Sequence, residues 1–69
     1  MTTELMEVFS LEVGDQIVVK DEIFRIIEIE DGNSFGYRLM LADEEGYQRH
    51  IELDGIQKVK IVLDNVDNI

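Results

Sequence analysis

Residues 36–53, which read GYRLMLADEEGYQRHIEL, contain the clearest structural pattern in the sequence. Apolar side chains recur at alternate positions on both sides of the acidic centre, which is the two-residue period of a β-strand. For Leu39 on the first strand to share a face with Ile51 on the second, the loop between the strands must contain an odd number of residues. A three-residue loop follows Asp43, which begins a type I turn, and ends at Gly46, which takes the left-handed position of a bulge. Turn chemistry and side-chain alternation therefore predict the same antiparallel hairpin.

Further strands are predicted on both sides of this hairpin. A short strand begins at Gln16, and a longer one over residues 22–30 is rich in β-branched side chains. In the longer strand the apolar positions change parity between Ile26 and Ile27, which predicts a β-bulge that turns the inward face over. A final strand is predicted over residues 58–63, where apolar residues again alternate.

The same parity argument predicts the other turns. Residues 32–34 make a loop of odd length that would place Ile29 opposite Tyr37. Residues 21 and 22 make a two-residue loop between the first two strands, although Asp-Glu is a poor pair for such a turn compared with Asn-Gly.

The predicted architecture is an all-β, five-stranded antiparallel barrel with a bent second strand. Residues 13–19 (VGDQIVV) and 24–29 (FRIIEI) resemble the opening of the SH3-like small barrels, a group that includes Tudor and KOW domains. The resemblance covers residues 11–63 and implies a one-turn helix at residues 53–56, before the final strand. It implies a fold and no particular ligand, because this architecture carries many unrelated binding functions.

Three segments follow from this assignment. Residues 1–10 form an N-terminal arm that is irregular or one turn of helix, with an edge strand as the alternative. Residues 11–63 form the SH3-like barrel. Residues 64–69 form an acidic tail that we expect to fray.

Composition excludes several classes of protein. The chain has 69 residues, sixteen of them acidic and six basic, for a formal net charge of −10. The hydrophobic fraction of 45% suffices for one small core. The absence of cysteine excludes disulfides and thiolate zinc sites. No apolar run approaches the roughly 20 residues that span a bilayer. We therefore expect a cytoplasmic domain with no membrane contact.

The sequence does not support an enzyme. The single histidine, His50, falls on the polar-facing positions of its strand, and the hydroxyls of Ser10 and Ser34 lie in connectors without a second histidine to complete a triad. No glycine-rich phosphate loop is present. The carboxylates are not spaced like a calcium-binding loop, so we expect no metal and no cofactor.

Acidic loops are the main candidate for function. A dense acidic surface attracts basic surfaces on other proteins and accelerates their encounter. The sequence therefore predicts a protein-interaction or structural module that docks a basic protein partner through charge and then through exposed apolar and aromatic groups. The candidate partner-binding residues are Glu28, Glu30, Asp31, Met40, Asp43, Glu44, Glu45 and Tyr47.

Three alternatives stay open. One is a nucleic-acid-binding barrel like those of the KOW and Tudor groups, for which the candidate residues are Arg38, Arg49, Lys58 and Lys60; the net charge argues against it. Another is an acidic mimic of nucleic acid that inhibits a DNA- or RNA-binding protein. The third is a homo-oligomer, because Met40 and Val62, together with Val18 and Ile56, fall on outward faces where they would form an apolar patch if adjacent.

Overall fold

Six antiparallel strands form one sheet in the computed structural model, which describes residues 2–31 and 36–63. The elements in chain order are β1 (Thr3–Glu7), a turn of 3-10 helix (Val8–Ser10), β2 (Gln16–Val19), β3 (Glu22–Asp31), β4 (Tyr37–Ala42), β5 (Gln48–Leu53) and β6 (Lys58–Val62). The order across the sheet is β1-β6-β2-β3-β4-β5. The predicted all-β class is confirmed, and no helix in the described part of the chain is long and apolar enough to cross a membrane.

The N-terminal segment supplies a sixth strand that the five-stranded prediction lacked. The predicted irregular or one-turn helical start is instead β1, which pairs with β6, followed by the single 3-10 turn. Met6 packs against the core, and Val8 donates its N–H to the Gln57 carbonyl oxygen at 2.9 Å. Residues 3–7 pair with β6 along their whole length, so this segment is a strand and not a helix.

The sheet is open rather than closed into the predicted barrel. Among residues 2–31 and 36–63, β1 and β5 pair on one side only and form the two edges. The predicted acidic tail at residues 64–69 and the predicted loop at residues 32–34 lie outside the described residues.

The predicted bulge is confirmed in β3. Ile26 pairs with Leu41 and Glu28 pairs with Met40, so one residue of β3, Ile27, has no partner across the ladder. The inward face therefore passes from Ile26 before the bulge to Ile29 after it, which curves the sheet over its core.

The β4–β5 hairpin also matches its prediction. Asp43 donates its N–H to the Tyr47 carbonyl oxygen at 3.0 Å, and Gly46 donates to the Asp43 carbonyl oxygen at 3.0 Å. Gly46 has a φ of 92°, as the bulge position requires, and Leu39 lies opposite Ile51.

Two registers differ from prediction. The β2–β3 turn consists of Lys20 and Asp21, with φ of 52° and 68°, rather than residues 21 and 22. Both positive φ values fit the mirror-image turn whose twist suits a two-residue hairpin. In β3–β4, Ile29 lies opposite Leu39 rather than Tyr37. Sequence parity fixes which face a residue occupies but does not separate registers that differ by two residues, which explains both shifts.

The core lies against the inward face of the sheet. In the part of the chain that the structure describes, its eight buried members are all apolar: Val8, Leu11, Ile17, Phe24, Ile26, Leu39, Leu41 and Ile61. The charged residues are left on the outward face, the edges and the turns, where the candidate site lies.

Candidate functional site

An acidic cleft lies between two turns that are distant in sequence. Successive turns of an antiparallel meander alternate between the two ends of a sheet, so the β2–β3 and β4–β5 turns share one end. The cleft between them measures about 380 Å³. Its lining is acidic except for one isoleucine and consists of Asp21, Glu22, Ile23, Asp43, Glu44 and Glu45. We call these residues the acidic crevice.

The β4–β5 side of the acidic crevice is fixed by Asp43. Its Oδ1 atom accepts N–H groups from Glu45 at 2.9 Å and from Tyr47 at 3.0 Å. One oxygen of this carboxylate is thereby used to hold the turn. Glu44 and Glu45 are exposed at the tip, so they are the carboxylates of this turn that a partner can reach.

The β2–β3 side is fixed by the tight turn. Asp21 occupies the second position of that turn, and Glu22 begins β3 opposite Val19. Ile23 pairs with Val18 and is half-buried, so it gives the acidic crevice an apolar element. The crevice combines negative charge with a small apolar surface, which suits an amphipathic basic side chain such as lysine or arginine.

A second group of polar residues lies on the outward face of β3, β4 and β5. The strand registers place Glu28, Met40 and His50 in one row, and Glu30, Arg38 and Glu52 in the next. We call these six residues the outer-face cluster. Five of them also line a second, smaller cleft: Glu28, Glu30, Arg38, Met40 and His50.

Arg38 ties the outer-face cluster together. Its guanidinium Nη2 and Nε donate to Glu52 Oε2 at 2.9 and 3.2 Å, and Nη1 donates to Glu30 Oε1 at 3.5 Å. All three side chains are between 41% and 57% exposed, so each pair contributes less than about 1 kcal/mol to stability. The pairs neutralise charge locally, and the outer-face cluster is therefore the less acidic of the two groups.

The predicted partner-binding residues fall into two surfaces rather than one. Asp43, Glu44 and Glu45 belong to the acidic crevice, whereas Glu28, Glu30 and Met40 belong to the outer-face cluster. Two more lie apart from both clefts: Asp31, opposite Tyr37 at the far end of β3, and Tyr47, which follows the β4–β5 turn and is 72% exposed. About 17 Å of strand separates Arg38 from Asp43, from the rise per residue.

Sequence reasoning missed the β2–β3 half of the acidic crevice. Asp21, Glu22 and Ile23 were not among the candidates because they are far from Asp43 in sequence. The alternation of turns in a meander was the available signal, since it places alternate turns at one end of the sheet.

The candidate nucleic-acid residues do not converge on one surface. Lys58 and Lys60 lie on β6, whereas Arg38 and Arg49 lie on β4 and β5, on the other side of β2 and β3 in the sheet. The Arg49 guanidinium lies over the Phe24 ring, 5.3 Å from its centroid, on the inward side. Met40 does not join Val62 in the predicted apolar patch, because β2 and β3 lie between β4 and β6, whereas Val18 lies on β2, which pairs with β6.

No group of three or more acidic or histidine side chains in residues 2–31 and 36–63 has the arrangement of a metal site. The lining of the acidic crevice offers charge attraction, hydrogen-bond acceptance and apolar contact.

Comparison with known proteins supports the fold. No protein-family model matches the chain, and no curated protein sequence matches it. Among solved structures, the chain is similar to a translation initiation factor eIF-5A family protein from Naegleria fowleri ATCC 30863, with a TM-score of 0.63 and 18% sequence identity. The similarity covers 86% of this chain and 46% of that protein, so this chain spans just under half of its length. At this identity the likeness shows the fold alone: a small, all-β domain.

Proposed function

We propose that this chain is a non-enzymatic interaction module whose acidic crevice docks a basic segment of a partner protein. The observation that carries the proposal is the convergence of two separate turns, which surround Ile23 with carboxylates. Either turn alone would be an ordinary solvated loop. Together they offer several acceptors within reach of one lysine or arginine side chain, whose methylene groups can cover the isoleucine.

Long-range charge supports the same role. A formal net charge of −10 on 69 residues attracts cations from beyond contact distance and accelerates association. Lys20 lies in the β2–β3 turn and offsets part of the local charge. Arg25, which pairs with Ala42 next to Asp43, is a second basic residue nearby. The lining of the acidic crevice itself holds five carboxylates and no basic residue.

After the charge-driven encounter, Tyr47 is the residue that we expect to contact the partner protein. Tyr47 is 72% exposed and directly follows Gly46 at the end of the β4–β5 turn, close in sequence to Glu44 and Glu45 but outside the lining of the acidic crevice. Aromatic rings are enriched at interfaces and attract arginine or lysine over their faces. Met40 lies farther along the outward face of β4, within the outer-face cluster, and would contact a partner that extends beyond the crevice.

Nucleic-acid binding is the alternative function, and the fold similarity to a translation initiation factor eIF-5A family protein is a reason to test it. A phosphate backbone requires a continuous basic surface. The separation of Lys58 and Lys60 from Arg38 and Arg49 weighs against such a surface. An acidic mimic of nucleic acid would share the predicted charge chemistry and differ only in its target.

The test is the association rate with an arginine-rich peptide, measured by stopped flow at low salt. We expect Glu44→Lys/Glu45→Lys to slow association by about tenfold or more with a smaller change in dissociation. The matched control is Glu4→Lys/Glu12→Lys, which changes net charge equally at two exposed residues outside the acidic crevice. An unchanged association rate, or equal slowing in the control pair, would contradict docking at the crevice.

A second experiment distinguishes docking of a basic protein segment from nucleic-acid binding. Fluorescence anisotropy with single-stranded RNA and double-stranded DNA oligonucleotides at low salt should show no binding to the wild-type chain. Binding that Lys58→Glu/Lys60→Glu abolishes would support the nucleic-acid function and contradict the proposal.

A further inference from the structure

We propose that the open edge of β5 is a self-association surface, on which a second copy of this chain adds its own β5 antiparallel, with Ile51 on the two-fold axis. The two sheets would join into one continuous sheet. This surface is separate from the acidic crevice, and the proposal stands independently of the proposed function.

Backbone N–H and C=O groups on the open side of β5 point in the direction that such pairing requires. Asp43 and Tyr47 form a hydrogen-bonded pair of the β4–β5 ladder, with the Asp43 N–H donating at 3.0 Å. Hydrogen-bonded pairs alternate along an antiparallel ladder, so Arg49 and Ile51 bond to β4. The N–H and C=O groups of His50 and Glu52 therefore point away from β4. Within residues 2–31 and 36–63 no strand pairs with this side of β5.

Charge selects β5 over the other edge. β1 carries Glu4 and Glu7 and no basic residue, and Glu4 lies opposite buried Ile61, on the inward face. An inward-facing charge on an edge strand opposes pairing with another sheet. The six residues of β5 carry one arginine and one glutamate, so their formal charge is zero with a neutral histidine. Between two chains of net charge −10, β5 is the edge that approaches its copy with least repulsion.

Arg49 does not block the edge. It is the inward-facing charge of β5, in the position where edge strands often carry a protective charge. Its guanidinium is turned back over the Phe24 ring of its own chain, 5.3 Å from the centroid, and so does not project across the edge. β5 also lacks proline, lysine and a bulge, the other common protections of an edge.

Side-chain pairing selects the register. Two-fold antiparallel pairing keeps the inward faces of both copies on the same side, so paired residue numbers must add to an even sum. With Ile51 on the axis, His50 lies opposite Glu52 of the second copy, at both symmetric positions. Arg38 holds that glutamate at 2.9 Å within its own chain, so its carboxylate is already oriented on the outward face. A register centred on His50 would instead place the two histidines opposite each other.

Such a dimer is weak and strengthens with salt. One strand pair lies well below the roughly 1,200 Å² that stable interfaces bury, so dissociation is expected in the upper micromolar to millimolar range. Salt screens the repulsion between two acidic chains, so self-association should rise with ionic strength. The proposed docking of a basic partner has the opposite salt dependence, which keeps the two associations distinguishable.

The test is sedimentation equilibrium of the full chain over a concentration series reaching the millimolar range, at low and high salt. We expect a monomer–dimer equilibrium that tightens at high salt. His50→Pro removes only an N–H that points to the open edge, so it should abolish the dimer while the far-UV circular dichroism spectrum persists. Leu5→Pro removes an equivalent outward N–H on β1, and it should leave the dimer unchanged.

Charge variants test the register without a proline. His50→Lys places a cation opposite Glu52 of the second copy and should tighten the dimer about two- to tenfold, whereas His50→Glu should weaken it by a similar factor. The matched controls Gln57→Lys and Gln57→Glu make the same charge changes at an exposed turn residue. A strict monomer at every concentration and salt would overturn the proposal. So would a dimer insensitive to His50→Pro, or His50 variants that shift no more than their Gln57 controls.

Discussion

Alanine at Gly36 should destabilise the protein far more than alanine at Gly46. Both glycines have positive φ, 99° and 92° respectively. They differ in their surroundings: a Cβ at Gly36 would overlap the Leu53 carbonyl oxygen and lie 3.0 Å from Asp54 Cα, whereas nothing lies within 4 Å of a Cβ at Gly46. The comparison therefore separates backbone strain from steric overlap.

The magnitudes follow from these two contributions. A left-handed conformation costs an alanine about 1–2 kcal/mol, and both variants incur it. At Gly36 the contact is with backbone, which cannot rotate away, so the end of β5 must shift from Tyr37. Overpacking of this kind adds about 1–3 kcal/mol. We expect Gly36→Ala to lose about 2–5 kcal/mol and Gly46→Ala about 1–2 kcal/mol.

Thermal and urea unfolding followed by circular dichroism measure this difference. For a domain of this size, about 1 kcal/mol lowers Tm by roughly 4–8 °C, so the two variants should be clearly resolved. The urea m-value should stay constant, since neither change alters the surface exposed on unfolding. Equal losses in the two variants, or a larger loss at Gly46, would refute the close approach of Gly36 to the backbone of β5.

Three further predictions concern stability. Lys20→Asn combined with Asp21→Gly should raise the free energy of unfolding by about 0.5–2 kcal/mol, because Asn-Gly adopts the two positive φ values at lower cost. The control Asp21→Ala loses the same carboxylate but keeps a Cβ, so it should not stabilise the protein. Stabilisation by this alanine variant would count against the turn assignment. Leu39→Ala should cost about 2–5 kcal/mol in urea unfolding, because the side chain is fully buried in the core, and a loss below about 1 kcal/mol would be inconsistent with that position. Arg38→Gln should cost less than about 1 kcal/mol, since its ion pair with Glu52 is exposed, and a larger loss in the same assay would show that the pair supports the sheet.

The β4–β5 hairpin was predictable because its local chemistry and its alternation agree. Asp43 and Gly46 determine the turn, and the turn then fixes the pairing of Leu39 with Ile51. The bulge at Ile27 was predictable for a similar reason, since the parity of the apolar residues changes there.

The strand β1 and the two shifted registers were not predictable by the same reasoning. The N-terminal apolar residues fit a helical turn or a strand equally well, and pairing with β6 decides between them through contacts that are distant in sequence. At the β2–β3 turn, Lys20 and Asp21 both adopt positive φ although neither is glycine or asparagine. The closing of the hairpin thus overrides residue preference, which a propensity argument cannot anticipate.

The candidate site was predictable in part. Glu44 and Glu45 were identified from their loop, because acidic residues at a turn tip are exposed whatever the topology. Grouping them with Asp21 and Glu22, rather than with Glu28 and Glu30, depends on which turns share an end of the sheet. That information lies in strand order, and local sequence does not contain it.

An NMR titration of the ¹⁵N-labelled chain with an arginine-rich peptide tests docking at the acidic crevice residue by residue. If a basic segment docks there, amide shifts should concentrate on residues 21–23 and on residues 43–47, which include Tyr47, and they should diminish as salt is added. Shifts concentrated on Lys58 and Lys60, or spread evenly over the acidic residues of the chain, would contradict a defined docking site between the two turns.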